Sequence, residues 1–554
     1  AMPSTNAVHI REDRCGSTIR ENARPEDAGF QSEITMTRPA TGFFSHPQPL
    51  RLPGAVFLLT LLAACAGPAL QDEVPQSAPS YAKAPAEAGA LADLARSIED
   101  KYEPGISGFR LLDGSRDGLE WRLALIDSAV SSLDVLTYLW YPDVSGRLIL
   151  ERAVLAAQRG VRVRLVVDDL LTIKQDQLLA DINDHPNIEL RLFNPWRERG
   201  LSARAGEMIA EMERLNTRMH TKLLIADGKA AIVGGRNIGD HYFGLSHDYN
   251  FHDLDVLTVG GIVEDANSMF DHYWNSDWIV SAANLTTSPD KTVAQEKWRE
   301  LQNTNRTADE LTNLPREPRD WSDELAAIEA ELRPGTGHLV FDEVSAEAIS
   351  QTMISSIFSF FDRAQEELLI TNAYVIPGEP AINFVKSLNE RGVDVRILTN
   401  SLASHDVPAV NSHYEGWRDD LINAGAQLYE LRADAAIQSL VDLPPVSGKF
   451  TGLHTKAAVV DRRYSFIGSM NLDPRSANIN TEMGAIIDSP ELAADLRAMM
   501  MRDMQGENAW QVLLDESGKP YWVNSDETVT NQPTRGFMQN VMNVIFKVVP
   551  KEQY

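Results

Sequence analysis

"MHTKLLIADGKAAIVGGRN" spans residues 219–237, and "LHTKAAVVDRRYSFIGSMN" spans 453–471. Each copy runs His, one spacer, Lys, four spacers, Asp, six spacers, Gly-Gly or Gly-Ser, one spacer, Asn. The residues between Lys222 and Asp227 are apolar and strand-like. Side chains alternate along a strand, so His220 and Lys222 point the same way, as do His454 and Lys456. One His-x-Lys would carry little information. Two full copies at identical spacing imply a repeated unit with a shared chemical purpose.

The repetition extends outward from the motifs. "SSLDVLTYLWYP" is followed by a helical stretch ending at Gly160 and then by "VRVRLVVDD". In the second half, "EELLITNAYVIP" is followed by "AINFVKSLNERG", ending at Gly392, and by "VDVRILTNS". A glycine just past a helix suits a left-handed cap. Runs such as "VRLVV" and "VRILT" suit strands covered on both faces. "IELRLFNPW" and "AQLYELR" read as strands before the two motifs, and "DLDVLTVGG" and "TEMGAIIDS" as strands after them. The expected fold class is α/β. Two similar α/β/α halves, with mixed, largely parallel sheets, would be related by a pseudo-twofold axis, with one active site at their interface.

Composition sets outer bounds. The chain has 554 residues, 43% hydrophobic and 23% charged, which is ordinary for a globular protein and too polar for a polytopic membrane protein. Its formal charge of −28 opposes general binding to nucleic acid. Two cysteines, Cys15 and Cys65, exclude a disulfide scaffold. Cys65 closes "AVFLLTLLAACAG", whose apolar run is too short to span a bilayer and fits the h-region of an export signal. Leu62 to Cys65 resembles the bacterial lipobox, which implies lipidation at Cys65 and anchoring in the bacterial cell envelope. The expected side is periplasmic, at the outer membrane if the host is Gram-negative.

The expected organisation is an upstream extension at 1–35, a lipoprotein signal peptide at 36–64 and a flexible, Ala/Pro-rich tether at 65–100. The first repeat occupies 101–300, a breaker-rich linker 301–336, the second repeat 337–510 and a C-terminal tail 511–554. In the tail, Phe537, Val541, Val544, Ile545 and Val548 form one helical stripe, expected to pack on the body, with docking at a bilayer interface as the alternative.

The paired motif resembles the HKD signature of the phospholipase D superfamily over about residues 100–510. The resemblance implies a nucleophilic His220 and an acid/base His454; the residues themselves leave the two symmetric. Lys222 and Lys456 would neutralise phosphoryl oxygens, and Asn237 and Asn471 would donate further hydrogen bonds. Splitting a phosphodiester displacement through a phosphohistidine needs one imidazole to attack and a second to protonate the leaving oxygen. Each histidine should need a carboxylate to fix its tautomer. By resemblance, Glu482 is assigned to His220 and Asp255 to His454, while Asp227 and Asp461 tie down local turns. Two histidines and two lysines supply the charge, so no metal or cofactor is expected. His241, His247 and His252 are read as surface or pocket-rim residues. Tyr138, Trp140, Tyr141 and Tyr374 follow equivalent strands and are read as core, with a place lining the lipid entrance as the alternative.

Within that superfamily, "GGRNIGDHYFG" followed by "DLDVLTVGG", together with "LDPRSANINTEMG", resembles bacterial cardiolipin synthases of the C type. This implies phospholipid partners, phosphatidylglycerol and phosphatidylethanolamine, at a membrane surface, with no nucleic acid; the oligomeric state is unknown. A phospholipase D that hydrolyses lipid is the alternative. A nuclease is disfavoured by charge and an inactive lipoprotein scaffold by two intact motifs.

Overall fold

A computed structural model describes residues 77–546, except 173–174, 198, 200–203, 205, 208–209, 286–289 and 346–347. The upstream extension, the signal peptide with its Cys65, and the end of the tail, including Val548, lie outside the described residues.

The first repeat contains β1 (Ser107–Leu112), β2 (Ser132–Thr137), β3 (Arg162–Asp168), β4 (Ile188–Phe193), β5 (Leu223–Ala226), β6 (Ala230–Gly234), β7 (Asn250–His252), β8 (Asp255–Gly260) and β9 (Ile279–Ser281). The second contains β10 (Arg333–Phe341), β11 (Glu367–Asn372), β12 (Asp394–Asn400), β13 (Gln427–Leu431), β14 (Thr451–Leu453), β15 (Lys456–Val460), β16 (Tyr464–Gly468), β17 (Met483–Asp488) and β18 (Ala509–Leu514). The first sheet runs β9-β4-β3-β2-β5-β6-β8-β1. The second runs β18-β13-β12-β11-β15-β16-β17-β10. Strand β10 also pairs with β1, joining the sheets.

Among the described strands, parallel pairing is confined to β2-β3-β4 and β11-β12-β13, plus the short β7/β14 pair. The sheets are therefore mixed but mainly antiparallel, a smaller parallel share than expected. Each motif is a tight hairpin, β5/β6 or β15/β16, and a hairpin returns antiparallel. The helices that cross between parallel strands, Val144–Gln158 and Gly378–Glu390, end before Gly160 and Gly392 at φ of 100° and 84°, as their sequence positions require.

One buried cluster spans both repeats. Leu223, Ile225 and Val233 from the first motif share it with Ala457, Val459 and Ile467 from the second. Extensive apolar contact of this kind holds the two halves as one body.

Three expected boundaries differ. The described part of the tether, from residue 77, docks on the first repeat. Ala82 N–H donates to Asp271, and the helix Ala90–Lys101 buries Leu91, Leu94, Ala95 and Ile98. The 301–336 stretch holds the helix Ser322–Ile328 and the start of β10, with Leu311, Leu314, Trp321 and Leu325 buried in the first core. The tail adds another strand, Pro520–Val523, on β18, where buried Trp522 donates its indole N–H to Glu430 at 2.8 Å. The last helix, Phe537–Phe546, docks through Asn543, which bonds Asn411 and Glu415, while Phe537 and Ile545 are exposed.

Candidate active site

The two motifs meet by a reciprocal exchange of backbone bonds. His220 N–H donates to Thr481 O at 2.9 Å, and His454 N–H donates to His252 O at 2.8 Å. Each histidine is thus hydrogen-bonded to the residue immediately before a carboxylate of the other repeat. Glu482 Oε2 lies 2.9 Å from His220 Nδ1, and Asp253 Oδ2 lies 2.6 Å from His454 Nδ1. A carboxylate facing Nδ1 holds the proton there and leaves Nε2 as the reactive nitrogen.

Asp255, expected opposite His454, is elsewhere. Its carboxylate accepts from Arg122 at 2.8 Å and Arg236 at 3.1 Å, all three buried. The register explains the displacement. Gly234 of the first motif lies opposite Asp255, and Gly468 of the second lies opposite Gly484. Two residues back from those partners stand Asp253 and Glu482, so these are the equivalent pair.

The flanking position is adapted to each carboxylate. A Cβ at Gly235 would sit 2.3 Å from Asp253 Oδ1, so the short aspartate approaches where only glycine fits. The equivalent Ser469 donates its hydroxyl to Glu482 Oε2 at 2.5 Å.

Lys222 Nζ donates to His220 O at 2.6 Å, and Lys456 Nζ donates to His454 O. Both lysines are buried beside aromatic faces, Lys222 at 5.3 Å from the Tyr138 ring and Lys456 at 5.9 Å from the Tyr374 ring. Burial pushes Lys222 down to about 7 and Lys456 down to about 8, against the pull of Glu482 and Asp253. Burial, then Lys222 and Lys456, hold His220 well below the usual histidine range. His454 is lowered by burial and Lys456, against the opposing pull of Asp253. Burial raises Glu482, whereas His454 and Lys456 hold Asp253 below the carboxylate range despite its burial. The site buries two lysines whose charge is not fully countered, an arrangement suited to receive an anion.

The motif aspartates stand apart from the imidazoles. Asp227 accepts from the backbone N–H of Val130, Ser131 and Ser132, and Asp461 from Gln365, Glu366 and Glu367. Both occupy left-handed turns, at φ of 56° and 51°, and tie each motif to the start of its repeat's central strand. Asn237 is also committed, donating to Tyr242 OH and accepting from Leu139 N–H. Asn471 Oδ1 is buried with no hydrogen-bond partner.

Other neighbours stand differently from their sequence reading or, like Tyr242, Phe251 and Asp168, carried no sequence signal. Tyr138, read as core, is half-buried with its ring edge-on to His220 at 5.1 Å, and Tyr242 and Phe251 wall His454 at 5.1 and 5.0 Å. Asp168 accepts from Met219 N–H at 3.0 Å and from Arg218 at 3.1 Å, fixing the approach to His220. His252 is not at a rim: it is buried against Asp503 at 2.8 Å. His241 stacks on Tyr249, and His247 is exposed.

A family model described as "Cardiolipin synthase, PLD-like domain" matches residues 123–274 and 357–504. Cardiolipin synthase C of Escherichia coli (strain K12) is 34% identical over 459 residues, 81% of this chain and 96% of that protein. An uncharacterized protein of Helicobacter pylori (strain ATCC 700392 / 26695) is 31% identical over 465 residues, 82% of this chain and 90% of that one. Among solved structures, phosphatidylserine synthase of Haemophilus influenzae Rd KW20 covers 72% of this chain and 86% of its own, at 14% identity and a TM-score of 0.49.

Proposed function

The chain belongs to the phospholipase D-like, cardiolipin synthase family, and from that premise we propose that it transfers a phosphatidyl group between glycerophospholipids through a covalent histidine intermediate. The observation that carries this reading is the pair of imidazoles, each braced at Nδ1 by a carboxylate of the opposite repeat, between two buried lysines.

The two carboxylates divide the roles. His220, held well below its usual range, is neutral and free to attack phosphorus through Nε2. Asp253 stays ionised beside His454, so an imidazolium formed there is stabilised when a phosphodiester brings its own negative charge. His454 then gives its proton to the leaving alkoxide. In the second half-reaction it takes a proton from the incoming hydroxyl, which attacks the phosphohistidine and regenerates His220. Lys222 and Lys456 face the phosphoryl oxygens as their charge builds.

The proposed substrates are phosphatidylglycerol and a second phospholipid, one giving the phosphatidyl group and the other receiving it through a headgroup hydroxyl, so that the product is cardiolipin. Water is the competing acceptor at about 55 M. A positioned hydroxyl can act at an effective molarity of about 10⁵ M or more, so transfer wins where the pocket orients the lipid. Mass spectrometry of lipid products tests this, using vesicles of phosphatidylglycerol with and without phosphatidylethanolamine. Cardiolipin in excess of phosphatidic acid is expected. Phosphatidic acid as the main product, with acceptor lipid abundant, would replace the synthase reading with a hydrolase.

A further inference from the structure

The repeats treat one groove differently. In the first repeat, the helices Ser115–Ser128 and Val144–Gln158 pack directly on one another, and Leu311, Leu314 and Trp321 share a buried cluster with Leu123, Ile126 and Leu148 of those helices. Arg152, on the second of these helices, closes the arrangement by donating to Pro315 O at 2.5 Å. In the second repeat, the corresponding helices precede and follow β11. They are Thr352–Phe361 and Gly378–Glu390, and a cavity of about 380 Å³ opens between them.

The cavity is apolar. Ile354, Phe358, Ile376, Phe384 and Trp417 form much of its wall. Its volume falls in the ligand-pocket range of about 300–1,000 Å³, and walls of this kind offer water few partners. It abuts the active site through two chain segments. Val375, Leu472 and Asp473 line it, and they directly follow Tyr374, whose ring faces Lys456, and Asn471 of the second motif. Ile376 N–H donates to Leu472 O at 2.7 Å, so these two segments form a single wall between cavity and catalytic pocket. Asp473 lies in the electrostatic field of Lys456 from the cavity side.

We propose that this cavity binds one acyl chain of the phospholipid whose phosphate sits between His220 and His454. The inference rests on the lipid reading above and deepens it: the second repeat holds the hydrocarbon, while the equivalent helices of the first repeat pack on one another. The occupant is an alkyl chain because the lining has almost no polar partner to offer, and because the groove begins within one residue of the motif that holds the phosphate.

The test compares two substrates in the full-length protein: a long-chain phosphatidylglycerol in mixed micelles and an acyl-free p-nitrophenyl phosphodiester. Ala381→Trp and Ala477→Trp, separately, place an indole in the groove. The ratio of kcat/KM for lipid to that for diester should fall at least tenfold in each. In the unaltered protein, kcat/KM should rise with acyl length by up to about fourfold per methylene buried, until the cavity is full. An unchanged ratio in folded variants, or no dependence on chain length, overturns the proposal.

A probe independent of folding in the variants is phosphatidylglycerol carrying a diazirine on its acyl chain, photolysed with the unaltered protein. Adducts within 354–361 or 376–385 support the site, and adducts confined to other segments overturn it. Failure of the lipid reading itself looks different: the unaltered protein would turn over the diester and no phospholipid.

Discussion

Asp253 Oδ2 lies 2.6 Å from His454 Nδ1, although 201 residues separate the two in the chain. The contact exists because Asn250–His252 and Thr451–Leu453 pair as parallel strands across the two repeats. Its mirror is Glu482 against His220, set by the bridge between Met219 and Thr481. One active site therefore needs both repeats, and neither histidine has its carboxylate within its own half.

Asp253 and Asp255 should separate cleanly on substitution. Asp253→Asn removes the charge that supports the His454 imidazolium and should lower kcat/KM by roughly 10²–10⁴-fold with the fold retained. Asp255→Asn leaves Arg122 and Arg236 buried without a counter-charge and should cost about 3–5 kcal/mol of stability. Denaturant titration alongside steady-state kinetics distinguishes the two. Equal kinetic loss with equal stability loss in both variants would contradict the assignment.

The position after the motif glycine should be asymmetric. Gly235→Ser forces an atom into the 2.3 Å gap at Asp253, so the Asp253–His454 contact must break, and kcat/KM should drop at least a hundredfold. Ser469→Gly only removes the hydroxyl that donates to Glu482, an effect of about tenfold. Activity of the two purified variants on a chromogenic diester decides it; a larger effect at Ser469 would count against the geometry.

The pH profile follows from the lysines. The free enzyme's pKa values appear in kcat/KM. Deprotonation of Lys222 near 7 and Lys456 near 8 removes the charges that receive the phosphodiester, so kcat/KM should fall as pH rises through 7–8. On the acid side, His220 must be neutral; its lowered pKa places that limb below 6.5. A rate that climbs steadily from pH 7 to 9 would be inconsistent with this arrangement.

Asp227 and Asp461 belong to the architecture. Asp461→Ala strips three backbone N–H groups of their acceptor at a left-handed turn and should lower stability by about 1–3 kcal/mol. Turnover per folded molecule, measured below the unfolding transition, should stay within about threefold. Loss of turnover in a fully folded variant would assign this carboxylate a chemical role.

The motifs and the two-repeat α/β plan were legible because polar spacing and buried strands leave a periodic trace. The partner of His454 was misplaced because alternation puts Asp253 and Asp255 on the same strand face, and only the hydrogen-bonding register selects between them. Aligning "DLDVLTVGG" with "TEMGAIIDS" end to end pairs Leu254 with Glu482; sliding by one pairs Asp253 with Glu482, as the opposing glycines require. The tether's Ala/Pro composition masked a buried set at i, i+3, i+4 and i+7: Leu91, Leu94, Ala95 and Ile98. Breaker residues around 311–321 likewise hid Leu311, Leu314 and Trp321, which find their neighbours only in the folded first repeat.

The division of tasks proposed for His220 and His454 is tested most directly by trapping the intermediate. With a p-nitrophenyl phosphodiester, whose leaving group departs without strong acid assistance, His454→Ala should accumulate a phosphoryl adduct, because nothing remains to activate the acceptor. Mass spectrometry of the digested protein should place that adduct on His220, and His220→Ala should carry none. An adduct on His454 in His220→Ala, with none on His220 in His454→Ala, would reverse the roles, and no adduct in either variant would contradict the covalent account.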